Sequence, residues 1–211
     1  MTSQGTHDIM ISPFLKGFGT SAGLIIAIGA QNAFVLSQGV KRNHHLVIPL
    51  ICSFFDALLI TVGILGVGTA VAAHPLLTRT AAWGGAAFLF WYGACAFRSA
   101  HRGGSLEAEE AGRTPLKTAV LATLAVTLLN PHVYLDTLVL MGGISGQFPL
   151  EQRPWFGFGA ATASFAWFFL LSLGGNLLAP VFRRQRAWRI LDTLVGLVMW
   201  GIAFSLLINM A

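Results

Sequence analysis

The chain has 211 residues, 55% of them hydrophobic and 10% charged, with a mean hydropathy of +0.71. Soluble domains carry about a quarter charged residues, so the composition excludes a soluble globular domain and marks an integral membrane protein. The net charge of +5 is read as loop Lys and Arg that orient helices, not as a nucleic-acid surface. Residues 1–13 form a polar N-terminal segment without a basic cluster, unlike a signal peptide, so the first apolar run is expected to remain as a membrane helix. Six charge-poor runs approach the ~20 residues a spanning helix needs: 14–38, 46–73, 76–98, 116–142, 155–181 and 188–209. His74-Pro75 marks a sharp turn between the second and third. Residues 99–115, where Glu107, Glu109 and Glu110 stand among basic residues, form the one substantial polar loop. It parts a first three-helix repeat, 14–98, from a second, 116–211.

Ten of the thirteen Lys and Arg fall on the odd connections: Lys41 and Arg42, then Arg98, Arg102, Arg113 and Lys117, then Arg183, Arg184, Arg186 and Arg189. The positive-inside rule puts those connections in the cytoplasm and both termini in the periplasm. Three spans per half is an odd number, so the halves run in opposite senses. The expected fold is an all-α membrane protein of six transmembrane helices in two inverted three-helix repeats. Short echoes support the repeat: Asn32 with Asn130, Ser53-Phe54 with Ser164-Phe165, and Tyr92-Gly93 with Trp200-Gly201.

Two of the runs are interrupted alike. The first contains Gly29-Ala30-Gln31-Asn32-Ala33-Phe34, the fourth Asn130-Pro131-His132-Val133-Tyr134-Leu135-Asp136. Paired interruptions in two halves of a membrane protein point to a transporter's substrate site. Pro131 cannot donate an intrahelical hydrogen bond. The chain after it is expected to start a fresh half-helix whose amino end attracts anions; a plain proline kink is the alternative. Gly29 with the Gln31 and Asn32 amides is expected to loosen the first run in the same way. His132 is either a proton relay or a structural histidine.

Asp56 stands about ten residues into the second run, about 15 Å along a helix and near mid-membrane. A carboxylate there must be protonated, paired or facing water. It is read as a substrate or proton site, with an ion pair to Arg79 as the alternative. Asp136 is read as a second such site or an interfacial carboxylate, and Asp192, beside Arg189, as an interfacial cap or ion pair. Tyr134 is the best placed aromatic to stack on a cation. Gly19 and Gly23 form a G-x-x-x-G close-packing motif, and Gly84, Gly85 and Gly93 are read likewise. Cys52 and Cys95 are read as buried, inert residues. The six histidines are scattered without metal-ligand spacing, no P-loop is present, and neither G-x-S-x-G nor H-E-x-x-H is found. No enzyme and no cofactor is expected.

GAQNAFVLSQGVKR (29–42), WGGAAFLFWYG (83–93), LAVTLLNPHVYLDTLVLMGG (124–143), SFAWFF (164–169) and VGLVMWGIA (195–203) resemble the lysine/arginine exporter family of bacterial inner-membrane proteins. The resemblance runs from about 14 to 209. It implies a secondary transporter that exports a basic amino acid, arginine or lysine, with the guanidino analogue canavanine as a further substrate. Lysine exporters of the family often carry a long acidic central loop, so the short 99–115 loop leans toward the arginine-exporting branch. The expected substrate residues are Gln31, Asn32, Asp56, Asn130, Pro131, Tyr134 and Asp136, with Asp56 and Asp136 also handling protons in an antiport. The partners are the basic amino acid, protons and the lipid bilayer, with homo-oligomerisation left open. A cation or small-solute channel lined by the same polar residues is the alternative.

Overall fold

A computed structural model describes residues 3–26, 29–66, 75–102 and 114–208. Within them the chain forms helices α1 (Ser3–Ile25), α2 (Ala30–Val40), α3 (Val47–Ile64), α4 (Pro75–Arg102), α5 (Leu116–Leu128), α6 (Pro131–Ser145), α7 (Arg153–Leu178) and α8 (Gln185–Ile208). A short 3-10 turn, Ala179–Arg183, joins the last two. No strand occurs among the described residues.

Both expected interruptions are present. The first run is broken ahead of Ala30, where Gly29 has an extended backbone. The fourth breaks at Leu129-Asn130, and Pro131 opens the next helix. The physical cause lies in Asn130 as much as in Pro131: a residue preceding proline is pushed out of the α region, whereas proline itself suits the first position of a helix. Among the described residues, three helices (α3, α7 continued through the 3-10 turn, and α8) are long and apolar enough to cross a membrane, or up to five spans if each interrupted pair counts as one. α4, the third expected run, has the length but lies outside that set.

Three boundaries differ from expectation. The polar segment 1–13 is helical from Ser3. The central loop begins later than residue 99, because α4 continues to Arg102; residues 103–113 lie outside the described residues. The second helix ends at Ile64, and 67–73, with His74 of the expected turn, lie outside them too.

The chain divides into two compact units, each drawing on both halves of the sequence. Unit 1 (Met1–Ala27, Ser53–Thr78, Pro131–Trp167) has a core of Ile60, Met141, Phe156 and Ala160, packed by Leu24, Ile64, Ile144 and Phe148. Glycines let its helices touch backbone to backbone. A Cβ on Gly17 of α1 would collide with the Phe156 carbonyl on α7, and one on Gly159 with the Phe14 carbonyl, a reciprocal crossing. Gly63 of α3 meets Gly142 and the Thr137 carbonyl of α6 in the same manner. Gly19 and Gly23, expected at such a contact, are exposed with nothing near their missing Cβ. Sequence spacing identifies a small-residue stripe but not the face that meets a neighbour.

Unit 2 (Ile28–Cys52, Arg79–Asn130, Phe168–Ala211) is built around α2, which packs against α5 and α8. Its reciprocal crossing joins Gly39 of α2 to Ser172 of α7, and Gly175 of α7 to Leu36 of α2. Gly85 abuts Leu129, and Gly93 abuts Trp200, as expected of close-packing glycines. His44 Nε2 lies 2.9 Å from the Thr114 carbonyl, and Ser172 Oγ donates to the His45 carbonyl. These bonds gather the first connection, the start of α5 and the end of α7 at one end of unit 2.

Candidate functional site

The expected site residues divide between the units. Asp56, Pro131, Tyr134 and Asp136 belong to unit 1; Gln31, Asn32 and Asn130 belong to unit 2.

In unit 1, α3 carries Asp56 into the interior, where it is 5% exposed. Its Oδ2 accepts a hydrogen bond from Ser164 Oγ of α7 at 2.9 Å. Ser53 Oγ, one helical turn before Asp56, donates to the Ser164 carbonyl at 3.5 Å. Asp56 Oδ1 is buried without a hydrogen-bond donor, and no cation pairs with Asp56 among the described residues of unit 1. A buried carboxylate oxygen left unbonded costs free energy, and a proton or an organic cation bound there would offset it. Ser164 is a functional candidate that the sequence signalled only as half of an echo, Ser53-Phe54 with Ser164-Phe165. The structure brings the two serines of that echo together.

Asp136 is half-buried on α6, within electrostatic reach of Asp56 and of His132. It lies in a π-helical turn, Leu135–Leu140, closed by the Met141 amide donating to the Asp136 carbonyl. Such turns recur at functional sites, and nothing in the local sequence announced this one. Thr137 Oγ1 donates to the Val133 carbonyl at 2.6 Å, satisfying one acceptor of the loosened ladder. Tyr134, one residue before the π turn, is half-buried.

In unit 2, Gln31 sits in the first turn of α2 and its Nε2 donates to Thr127 Oγ1 of α5 at 3.0 Å. Both residues lie beside an interruption. Cys52 Sγ adds a weak contact to the same hydroxyl at 3.9 Å. Cys52 is buried as expected, but Cys95 is exposed, because it lies off the buried face of α4. Asn32 and Asn130 are half-buried.

A second polar cluster stands at the other end of α2. Asp192 of α8 is fully buried; Lys41 Nζ lies 3.5 Å from its Oδ1, and Ser99 Oγ of α4 donates to its Oδ2 at 2.5 Å. Trp188 Nε1 donates to Ser99 Oγ at 3.4 Å, and the Lys41 ammonium lies 5.4 Å from the centre of the Trp188 ring. Asp192 is thus half of an ion pair, as expected in kind, but its partner is Lys41 and not Arg189. Arg189 is exposed, one position along the helix from a face that turns inward. Gln38 Nε2 donates to Tyr92 Oη at 3.0 Å and Asn43 Nδ2 to Gln38 Oε1 at 2.7 Å, extending the cluster along α2.

Comparison with known proteins accounts for almost the whole chain. Residues 22–210 match the family model described as LysE type translocator. The chain belongs to that family. Relatives within it include an arginine exporter protein ArgO of Yersinia enterocolitica, 48% identical over 93% of this chain and 97% of the relative. Another from Serratia proteamaculans is 46% identical over the same shares, and one from Salmonella enteritidis is 45% identical over 93% and 94%. No solved structure matches. The LysE-type assignment makes the chain a translocator and not an enzyme. It agrees with a protein built from helices apolar enough to cross a membrane.

Proposed function

We propose that this LysE-type translocator exports arginine from the cytoplasm across the bacterial inner membrane, in exchange for protons. Relatives named as arginine exporters over nearly the full length support the substrate. The observation that carries the mechanism is Asp56, buried, bonded on one oxygen only and without a cation among the described residues.

The charges of the ligand organise the reading. Arginine brings a guanidinium, an α-ammonium and an α-carboxylate. A carboxylate on Asp56 or Asp136 holds a cationic group, since a guanidinium suits bidentate carboxylate binding and aromatic stacking, here by Tyr134. The amino end of α6, opened by Pro131, favours the α-carboxylate. Gln31, Asn32 and Asn130 have the residue type to bond the polar remainder. Moving one positive charge outward against an inside-negative potential costs about 2.3 kcal/mol per 100 mV. Inward movement of one proton per arginine cancels that charge, and an acid that binds either proton or substrate performs the exchange. Lysine, and canavanine as the guanidino analogue, are read as further substrates.

We read the architecture as six spans in two inverted repeats, with the odd connections cytoplasmic and both termini periplasmic. Residues of two sequence echoes meet, Ser53 with Ser164 and Gly93 with Trp200, as contacts near a pseudo-twofold axis do. The glycine crossings support it too: spans one and five touch at Gly17 and Gly159, and their repeat counterparts, spans four and two, touch at Gly142 and Gly63.

The test is uptake of arginine into inside-out vesicles bearing the chain, with and without an imposed proton gradient. Saturable arginine uptake that the gradient drives is expected. Uptake of neutral amino acids in preference to arginine overturns the substrate, and indifference to the gradient overturns the antiport.

A further inference from the structure

The export mechanism leaves idle the positive charge at one end of unit 2. Arg98, in the last turns of α4, and Arg184, Arg186 and Arg189, around the start of α8, are all exposed. The two helices run antiparallel along a shared seam. Trp188 and Asp192 meet Ser99, Gly196 faces the Phe97 ring, and Trp200 and Phe204 meet Phe90.

At the charged end of that seam lies an open-sided cavity of about 400 Å³, lined by Phe97, Ala100, His101, Arg189 and Thr193. His101, Arg189 and Thr193 are exposed. No carboxylate pairs with Arg189 or His101 among the described residues, and Asp192, on the same stretch of α8, is buried and held by Lys41. The cavity therefore gathers a guanidinium, an imidazole and a hydroxyl, groups that donate hydrogen bonds to a phosphate.

Away from this end the seam changes character. Beyond Arg189 and Thr193, at helical spacing, α8 presents Leu197, Trp200 and Phe204, exposed at 57%, 38% and 52%. Phe90 of α4 lies against the last two. A cationic cavity thus continues into an apolar strip along a helix apolar enough to cross a membrane. The basic flank of a spanning helix is where lipid phosphates lie. A molecule with an anionic head and hydrocarbon chains matches both parts, whereas a soluble anion matches only the first.

We propose that the α4–α8 seam binds an anionic phospholipid, with its phosphate on Arg189, His101 and Thr193 and an acyl chain along Leu197, Trp200 and Phe204. A zwitterionic lipid carries the same phosphate together with an ammonium that the guanidinium opposes, so the site prefers an anionic headgroup. Bound there, the lipid offsets the repulsion between the basic end of α4 and the basic start of α8.

The closing experiment measures lipid binding to the detergent-purified full chain by native mass spectrometry and thermal shift, neither of which requires transport. The probes are phosphatidylglycerol, phosphatidylcholine and inorganic phosphate. The wild type is expected to retain one phosphatidylglycerol about fivefold more tightly than phosphatidylcholine. Arg189→Gln, at an exposed position that does not threaten folding, is expected to weaken phosphatidylglycerol about fivefold. Arg186→Gln removes the same charge from an exposed residue that does not line the cavity, and is expected to bind as the wild type does. His101→Gln, also exposed, is expected to weaken phosphatidylglycerol and decides if Arg189→Gln does not accumulate. Equal losses in the Arg189 and Arg186 variants mean diffuse attraction to basic residues and overturn the site. Equal retention of the two lipids by the wild type overturns it as well. Inorganic phosphate that displaces phosphatidylglycerol, or stabilises the chain as much, overturns the lipid as occupant in favour of a soluble anion.

Discussion

Asp56 and Asp192 are both buried acids on apolar helices, yet their surroundings differ in kind. Asp192 has a cation, a hydroxyl and an indole within unit 2. Asp56 has one serine hydroxyl in unit 1, and its second oxygen has no donor. A buried charge is tolerated when paired and costly when alone. Asp192 Oδ1 also lacks a hydrogen-bond donor, but the Lys41 ammonium 3.5 Å away offsets its charge. The Asp56 site is completed only by something that comes and goes, which is the property a carrier needs. Substitutions at the two acids should accordingly fail in different ways.

The largest effect is expected at Asp56. Asn has the same shape and its carbonyl still accepts from Ser164, so Asp56→Asn removes the charge and little else. Arginine efflux should fall by about two orders of magnitude, with membrane abundance unchanged. Asp136→Asn should impair efflux as well. Normal efflux in both variants would remove the carboxylates from the mechanism. The opposite signature is expected from Lys41→Ala, which strands Asp192 as a buried unpaired charge. Losing one partner of a buried pair costs about 3–5 kcal/mol, so abundance and thermal stability in detergent should drop sharply. A Lys41→Ala protein as stable as wild type would mean that Asp192 is not held as a charged partner.

These contrasts mark what the sequence could and could not say. The interruptions were legible because Asn, Pro and Gly in apolar runs have strong local consequences. The approximate helix limits were legible from charge-poor runs of membrane length. Partner choice was not. Asp56 finds Ser164 at 108 positions' remove and Lys41 finds Asp192 across most of the chain, while the local candidate, Arg189, points outward. The π turn at Asp136 was not legible, since no residue within it demands that geometry; Thr137 and Leu138 of the turn lie against Gly63. Gly19 and Gly23 misled for a related reason: a G-x-x-x-G pattern states that a face is smooth, not that anything lies against it.

The glycines give the next prediction, with a change of sign between neighbours on one helix. Gly17→Ala would drive its methyl into the Phe156 carbonyl. Overpacking of this kind costs about 1–3 kcal/mol, and the melting temperature in detergent should fall. Gly19→Ala meets nothing within 4 Å. It should be neutral or stabilising by about 0.5–1 kcal/mol, the helix-propensity difference. Equal effects of the two substitutions would show that α1 does not cross α7 at Gly17.

The smallest expected effect returns to Asp56 through its one protein partner. Ser164 Oγ supplies the hydrogen bond to Oδ2, and a hydrogen bond to a charged group contributes about 1.5–3 kcal/mol. When a cation or proton also occupies the site, part of that loss is made good, so Ser164→Ala should weaken the apparent affinity for arginine about tenfold or less. Packing cannot be blamed if the effect is graded by donor strength. Ser164→Cys keeps a side chain of similar size with a weaker donor, and its affinity should fall between those of the wild type and of Ser164→Ala. If the thiol and methyl variants behave alike and both match wild type, the Ser164 hydroxyl plays no part in holding Asp56. If both are equally impaired while abundance falls, the role of Ser164 is to pack α7 and not to orient the acid. The ordered series of hydroxyl, thiol and methyl at constant abundance is the outcome that ties substrate affinity to the carboxylate's own hydrogen bond.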